Sequence, residues 1–275
     1  MKLEILDFDN IADWSASLDS ALFPLLSGSA RKKLLSAKLE FIEDSQELLF
    51  AVAGRDAVID TVLNWLYSKK LIGHHGTRIT DAETDSIQSH GLIPLNGIDR
   101  RNRLIRVLSL HPKWNEVAHR LDEVILSLGP KEREGRREGQ VHLTLSLDSL
   151  LRNFNHYLVY GSEFDQNAAR ELLGTDGLEL LSRDGESKVV KVAIPGVAAV
   201  MAAHPIFSVD KVRSDGETPN IVNEITKFWS YRISHPNIHS RHLSIDCGMM
   251  FQEAIPADWI IDITPVKIPL GQSVF

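Results

Sequence analysis

The sequence predicts an α+β fold with a mostly antiparallel sheet, because the spacing of its apolar residues changes along the chain. Up to about residue 70, apolar side chains recur every three or four positions, which is typical of helices. After residue 140 they alternate with polar residues, as in half-buried strands, and candidate strands crowd the C-terminal half. Helices and strands that are segregated in this way favour α+β over a regularly alternating architecture.

Composition limits the possible function classes. The 275 residues are 43% hydrophobic and 24% charged, with a formal net charge of −7, so the chain can form one large or two modest domains. This acidic balance argues against a protein that coats duplex nucleic acid, although a local basic groove stays possible. With Cys247 as its only cysteine the chain forms no internal disulfide, which favours a cytoplasmic location. We expect no signal peptide and no membrane span.

The N-terminal 70 residues predict a helical extension. One helix is expected to begin at a Ser29 cap and to carry its apolar positions through Ile42. A second is expected to begin at Asp56 and to have Lys69 and Lys70 at its C-terminal end, where cations suit the helix dipole.

The later segments predict a mixture of elements. Strands are expected at 71–75, 141–147, 157–160, 189–195, 243–251 and 259–266. Helices are expected at 81–90, 114–128, 165–173 and 221–233, the first with Thr80 or Asp81 as its cap and Gly91 as its stop. The mixed-charge segment 131–140 predicts a solvated loop.

The tract from His74 to Arg78 is the first candidate site. His75 can bond sugar hydroxyls, Thr77 adds a hydroxyl, and Arg78 can bind a phosphate through two parallel hydrogen bonds. The alternative is a polar turn after a strand, with both histidines in solvent.

The second candidate site is the run from Tyr157 to Glu163. Tyr160 can stack on a planar ring, and Glu163, next to Gly161 and Ser162, can act as a catalytic acid where a strand gives way to a helix. The alternative is that Ser162 and Glu163 only cap the helix and complement its dipole.

A third cluster lies on the late strand. With a period of two, Asp246 and Glu253 fall on opposite faces, so only one of them can face a given pocket.

Other polar clusters in the sequence do not predict a functional site. No metal site is expected, because the spacing of His235, His239 and His242 lacks rigid partners of the right type. The basic run Arg100-Arg101-Asn102-Arg103 is expected to be a solvated helix start. The sequence contains no P-loop and no Gly-rich dinucleotide fingerprint.

These clusters, followed by the return Ala-Ile-Pro-Ala-Asp-Trp-Ile at 254–260, resemble the ADP-ribosyltransferase-like superfamily over about residues 71–268. The resemblance implies a split antiparallel sheet with flanking helices in a domain over residues 71–275, preceded by the helical extension over residues 1–70. It also implies that NAD is bound as a substrate.

Matched motif by motif, His75 corresponds to the ribose-binding histidine of the family, with Gly76, Thr77 and Arg78 beside it. Tyr160 falls where an aromatic packs against nicotinamide, with Ser162 in the same motif. Cleavage of the nicotinamide–ribose bond needs a carboxylate near the developing positive charge.

The position of that carboxylate departs from the family pattern. Gly248 occupies the place of the usual late-strand glutamate. Either Glu163 supplies the acid, or Asp246 substitutes for it, or transfer activity is lost. We favour Glu163.

The resemblance implies an enzyme that transfers ADP-ribose from NAD to a macromolecule, either protein or nucleic acid. Relatives of this kind suggest a toxin or phage-defence effector, with the helical extension recognising a target or an antitoxin-like partner. The alternatives are an NAD glycohydrolase, an RNA 2′-phosphotransferase-like enzyme, or an interaction module whose catalytic pocket has decayed.

Overall fold

A computed structural model describes residues 3–37, 39–128, 139–235 and 245–268. The α+β class is confirmed, because the described residues form a six-stranded sheet with flanking helices. The strands are β1 (Glu4–Leu6), β2 (Lys69–Ile79), β3 (Val141–Thr144), β4 (Glu186–Pro195), β5 (Gly248–Phe251) and β6 (Ile260–Pro265). Their order in the sheet is β5-β3-β2-β4-β6, and β1 pairs with β2.

Two pairings define strand directions. β1 runs parallel to β2, with Glu4 opposite Lys69. β4 runs antiparallel to β6, with Lys188 opposite Pro265 and an irregularity in register between Lys191 and Val192.

By its internal contacts the chain divides into two units. The first comprises residues 1–73, 144–149 and 193–249, and the second comprises residues 74–143, 150–192 and 250–275. The predicted boundary at residue 70 therefore falls near the first division, while two later segments also belong to the first unit.

The first unit is mainly helical. Its helices are α1 (Ile11–Leu22), α2 (Gly28–Ser36), α3 (Ile42–Ala53), α4 (Arg55–Tyr67), α12 (Gly196–Ala202), α13 (Val209–Ser214) and α14 (Asn220–Ser234). Polar side chains join α3 to α14 within the unit: Gln46 Nε2 donates to Thr226 Oγ1 at 2.6 Å. Buried groups that are paired in this way specify one packing of the two helices.

The second unit packs its helices around a separate apolar cluster. Its helices are α5 (Asp81–His90), α6 (Gly97–Leu108), α7 (Trp114–Val117), α8 (Leu121–Leu128), α10 (His156–Tyr160) and α11 (Glu163–Arg183), while α9 (Leu147–Asn153) crosses a unit boundary. Leu104 of α6, Leu121 of α8 and Phe164 of α11 lie in this cluster. It holds α6 and α11 together, and both helices carry residues of the site described below.

Several predicted elements are confirmed with nearly the expected bounds. They are the helices at 81–90 and 221–233 and the strands at 189–195 and 259–266. The helix expected at 165–173 is the first part of α11, which leaves helical geometry at Gly174 (φ 63°, ψ −138°).

The strand predicted at 157–160 is wrong, because these residues lie in helix α10. The backbone N–H of Gly161 donates to the Tyr157 carbonyl at 3.0 Å and closes the helical turn. A short apolar run fits either structure from its sequence alone, and here Gly161, with φ 85°, ends a helix.

Three other predictions fail at element ends. Ser27, not Ser29, caps α2, and that helix stops at Ser36 instead of continuing to Ile42. Lys69 and Lys70 begin β2 because they pair with β1, so they do not complement the end of α4.

The strand predicted at 141–147 ends at Thr144, because Leu147 begins α9. The strand predicted at 243–251 forms only at Gly248–Phe251 among its described residues. The helix predicted at 114–128 is interrupted by a 3₁₀ turn at Ala118–Arg120. Residues 131–138 of the predicted loop, together with His239 and His242, lie outside the described residues.

Candidate functional site

The second unit contains a cavity of about 660 Å³. That volume lies within the range of cofactor and small-molecule pockets. Its walls come from β2 and β3, from α5 and α6 with the loop between them, and from the turn between α10 and α11. The polar and charged residues used below are His75, Thr77, Glu83, Arg100, Arg103, Arg106, Tyr157, Ser162 and Glu163.

Local hydrogen bonds position helix α5 beside the cavity. Thr80 and Glu83 form a capping box, in which each side chain bonds the backbone N–H of the other. At the other end Gly91, with φ 84°, turns the chain so that Leu92 can pair with Ile255. Residues within or next to α5 therefore define both ends of the helix, and the distant Ile255 pairs with the residue that follows it.

His75 lies in the cavity wall. Its Nδ1 is 2.8 Å from the carbonyl oxygen of His142. Since a carbonyl only accepts, Nδ1 carries the proton, and in the neutral ring Nε2 is an acceptor. Burial lowers the pKa of His75, although the bond to His142 opposes the shift. His75 is therefore neutral near pH 7.

Gly76 and Thr77 also line the cavity, but Arg78 does not. The Arg78 guanidinium donates to the Gly185 carbonyl at 2.8 Å and to Ser187 Oγ at 3.1 Å. These bonds join β2 to the start of β4, so they give Arg78 a structural role in place of the expected phosphate contact.

In the run from Tyr157 to Glu163, the tyrosine that lines the cavity differs from the one expected. Tyr157 lines the cavity, while Tyr160 packs against the apolar cluster around α6 and α11. The Tyr157 hydroxyl donates to Glu163 Oε1 at 2.6 Å, and His156 Nε2 is 3.5 Å from the same oxygen. No pattern in the sequence favours Tyr157, because its apolar neighbours fit a strand as well as a helix.

Ser162 and Glu163 lie both at the start of a helix and at the cavity, the two interpretations considered for them from the sequence. Ser162 Oγ accepts from the Asp165 backbone N–H at 3.1 Å and caps α11. Glu163, the first residue of that helix, lines the cavity with Ser162. A capping position is thus also the position that brings a carboxylate to the cavity.

Three arginines of α6 are site residues that the sequence patterns do not identify. Arg100, Arg103 and Arg106 lie three residues apart, on one side of the helix, and all line the cavity. The expectation that this run is a solvated helix start is wrong for Arg103, which is buried. Their spacing by three, which places side chains on one side of a helix, is the signal in the sequence that could have identified them.

Two carboxylates form ion pairs with these arginines. Arg100 and Arg103 both bond Asp165, while Arg103 and Arg106 both bond Asp184. Burial lowers the pKa of Arg103, but Asp165, Glu83 and Asp184 outweigh it and leave the pKa raised. Among the described residues that line the cavity, the charged ones are these three arginines and the carboxylates Glu83, Asp99 and Glu163.

The remaining candidate acids do not line the cavity. Asp246, in the first unit, accepts hydrogen bonds from the Thr144 hydroxyl and from the Ser146 backbone N–H. Glu253, in the second unit, is exposed. Of the three carboxylates considered from sequence, only Glu163 borders this cavity.

Within the described part of the chain, none of the helices has the length and apolar character required to cross a bilayer. Comparison with family models, curated proteins and solved structures finds no match to this chain.

Proposed function

We propose that the cavity binds NAD and that the protein breaks the nicotinamide–ribose bond and transfers ADP-ribose to a macromolecule. The observation that carries the proposal is the convergence of His75, Tyr157 and Glu163 on one cavity. They come from separate elements, β2, α10 and α11. A neutral acceptor, an aromatic ring and a carboxylate are the groups that this chemistry needs.

Glu163 serves as the carboxylate of the reaction. When the bond breaks, its electron pair stays on the nicotinamide nitrogen and positive charge develops on the ribose. A fixed carboxylate stabilises that charge more in the transition state than in the ground state. The hydrogen bond from Tyr157 holds the Glu163 carboxylate in one orientation.

His75 binds a ribose hydroxyl through Nε2. Because Nδ1 donates to the His142 carbonyl, Nε2 accepts a hydrogen bond from the sugar. The lowered pKa keeps the ring neutral, so His75 adds no positive charge beside the developing cation.

The charges around the cavity suit a ligand with both positive and negative parts. Glu163 suits the cationic nicotinamide end. NAD has both parts, and its size is compatible with a cavity of about 660 Å³.

The proposal is tested with NAD labelled in its adenine portion, incubated with the protein and a cell lysate. We expect release of nicotinamide and label on protein or nucleic acid. Glu163→Gln should lower nicotinamide release on the order of 100-fold, while the matched control Glu253→Gln should leave it unchanged. Absence of NAD binding in calorimetry refutes the proposal.

The same experiment separates the alternatives. Nicotinamide release with only free ADP-ribose identifies an NAD glycohydrolase. NAD binding without any release identifies an interaction module. An RNA 2′-phosphotransferase-like enzyme is identified if the protein removes a 2′-phosphate from RNA but releases no nicotinamide when NAD is the only substrate. Full activity of Glu163→Gln with loss in Asp246→Asn transfers the catalytic role to Asp246.

We also propose, from the resemblance, a role as a toxin or phage-defence effector with an antitoxin-like partner. Expression in a bacterial host should arrest growth, and Glu163→Gln should relieve the arrest. Equal toxicity of both proteins contradicts this role.

A further inference from the structure

The Arg103 side chain forms hydrogen bonds to three separate segments of the second unit. Its guanidinium donates through Nε to Asp184 at 3.2 Å, through Nη1 to Asp165 at 3.1 Å and through Nη2 to the Arg78 carbonyl at 3.0 Å. These partners belong to the C-terminal cap of α11, to its first turn and to β2. One side chain of α6 thus bonds both ends of α11 and the strand that carries His75.

Burial makes these bonds obligatory. Arg103 is 4% exposed and Asp165 is fully buried. A buried charge without a partner is strongly destabilising, so each group constrains the position of the other. Arg103 keeps its charge in this environment because its carboxylate partners hold its pKa above the usual value despite burial.

The turn before Glu163 is shaped around the same guanidinium. A Cβ on Gly161 would lie 3.0 Å from Arg103 Nη1 and 3.3 Å from Nη2. Gly161 also has φ 85°, a region that favours glycine. Gln166 Nε2 donates to the Gly161 carbonyl at 2.8 Å and adds a second constraint on the turn.

We propose that Arg103 is a positioning residue that sets the orientation of Glu163 in the cavity. Glu163 lies between Gly161, where any side chain would meet the guanidinium, and Asp165, which is bonded to it. Movement of Arg103 therefore shifts the backbone on both sides of Glu163. The structural part of this inference stands by itself, and its kinetic consequence rests on the proposed function.

The structural part is tested through Tyr157, whose hydroxyl bonds Glu163. The chain has four tyrosines, so incorporation of 3-fluorotyrosine gives four fluorine NMR resonances, and Tyr157→Phe assigns the one of interest. We expect Glu163→Gln and Arg103→Lys both to shift the Tyr157 resonance. The matched control Arg101→Lys, which alters an exposed arginine of the same helix bonded to Asp122, should leave it in place.

A second pair of variants covers the case in which Arg103→Lys does not fold. Asp184→Asn keeps the side-chain volume and removes one charged partner of Arg103, while Asp122→Asn does the same to Arg101. We expect Asp184→Asn, but not Asp122→Asn, to shift the Tyr157 resonance. A folded Arg103→Lys protein with an unshifted Tyr157 resonance, or an unshifted resonance in Asp184→Asn, overturns the proposal.

The kinetic part is tested with NAD. In Arg103→Lys, Glu163 should be misplaced, so kcat for nicotinamide release should fall by about 100-fold with a smaller change in KM. A rise in KM with kcat unchanged means that Arg103 only binds the ligand, and it overturns the positioning role. If the wild-type protein releases no nicotinamide, the proposed function fails, and the fluorine experiment still decides whether Arg103 positions Glu163.

Discussion

Replacement of Gly91 by alanine should destabilise the protein by an amount that the structure allows to be calculated. Gly91 has φ 84° and ψ −170°, a conformation used almost only by glycine. A Cβ there would lie 1.9 Å from the Ile255 carbonyl oxygen and 2.9 Å from the Ala257 nitrogen. Both neighbours are backbone atoms, so no flexible side chain can move aside.

Two contributions add in Gly91→Ala. The backbone conformation costs about 2 kcal/mol for a residue with a Cβ. Separation of Ile255 from the helix end breaks two hydrogen bonds. The Leu92 N–H donates to the Ile255 carbonyl at 3.0 Å, and the Ile255 N–H donates to the Leu92 carbonyl at 2.9 Å. At about 1 kcal/mol each, these raise the expected loss in the free energy of unfolding to about 4 kcal/mol.

Urea unfolding of Gly91→Ala, followed by circular dichroism, measures this loss. The control is Gly139→Ala in the same unit, because Gly139 has φ 77° but, among the described residues, no atom lies within 4 Å of the place that its Cβ would take. The control should lose only about 1–2 kcal/mol, the cost of the backbone conformation. Equal losses in the two variants would show that the contact with Ile255 contributes nothing, and the calculated difference would be wrong.

Three further predictions concern the site and the lone cysteine. Because burial lowers the pKa of His75 below its usual 6.5, the unfolded chain binds a proton that the folded chain does not, so stability should fall as pH decreases below 6.5. When urea unfolding is measured at pH 6.5 and 5.5, the free energy of unfolding should fall less between the two pH values in His75→Gln than in the wild type. Equal falls in the two proteins would contradict this. Tyr157→Phe should slow nicotinamide release more than Tyr160→Phe, because only Tyr157 lines the cavity, and the reverse order would restore the sequence-based choice. Burial, with Asp246 and Glu224, raises the pKa of Cys247 to about 12, so a thiol reagent at pH 8 should label the unfolded chain but not the folded one.

Predictions from sequence succeed where local interactions decide the structure. Helix α5 has the expected bounds because its capping residues Thr80 and Glu83 and its stop Gly91 lie within or beside it. The hydrogen bonds that start and end such a helix join residues three or four positions apart. Every group that takes part is therefore present in the local sequence.

The same approach fails where the partner of a side chain is distant in sequence. Arg78 has the character of a phosphate ligand, but its partners are more than a hundred residues away, at Gly185 and Ser187. The resemblance favours Tyr160 over Tyr157, and the apolar run that forms helix α10 fits a strand as well as a helix. Which tyrosine borders a cavity depends on that helix and on what packs against it.

Local sequence patterns were enough to predict the α+β class, the ends of α5 and the presence of His75 and Glu163 in candidate sites. The folded arrangement was needed to show that these two residues border one cavity, and that Arg103 bonds Asp165 and Asp184 beside it. The difference between the two cases is the range of the interactions. Capping and periodicity involve neighbours in the chain, whereas burial and charge pairing depend on which distant segments the fold brings together.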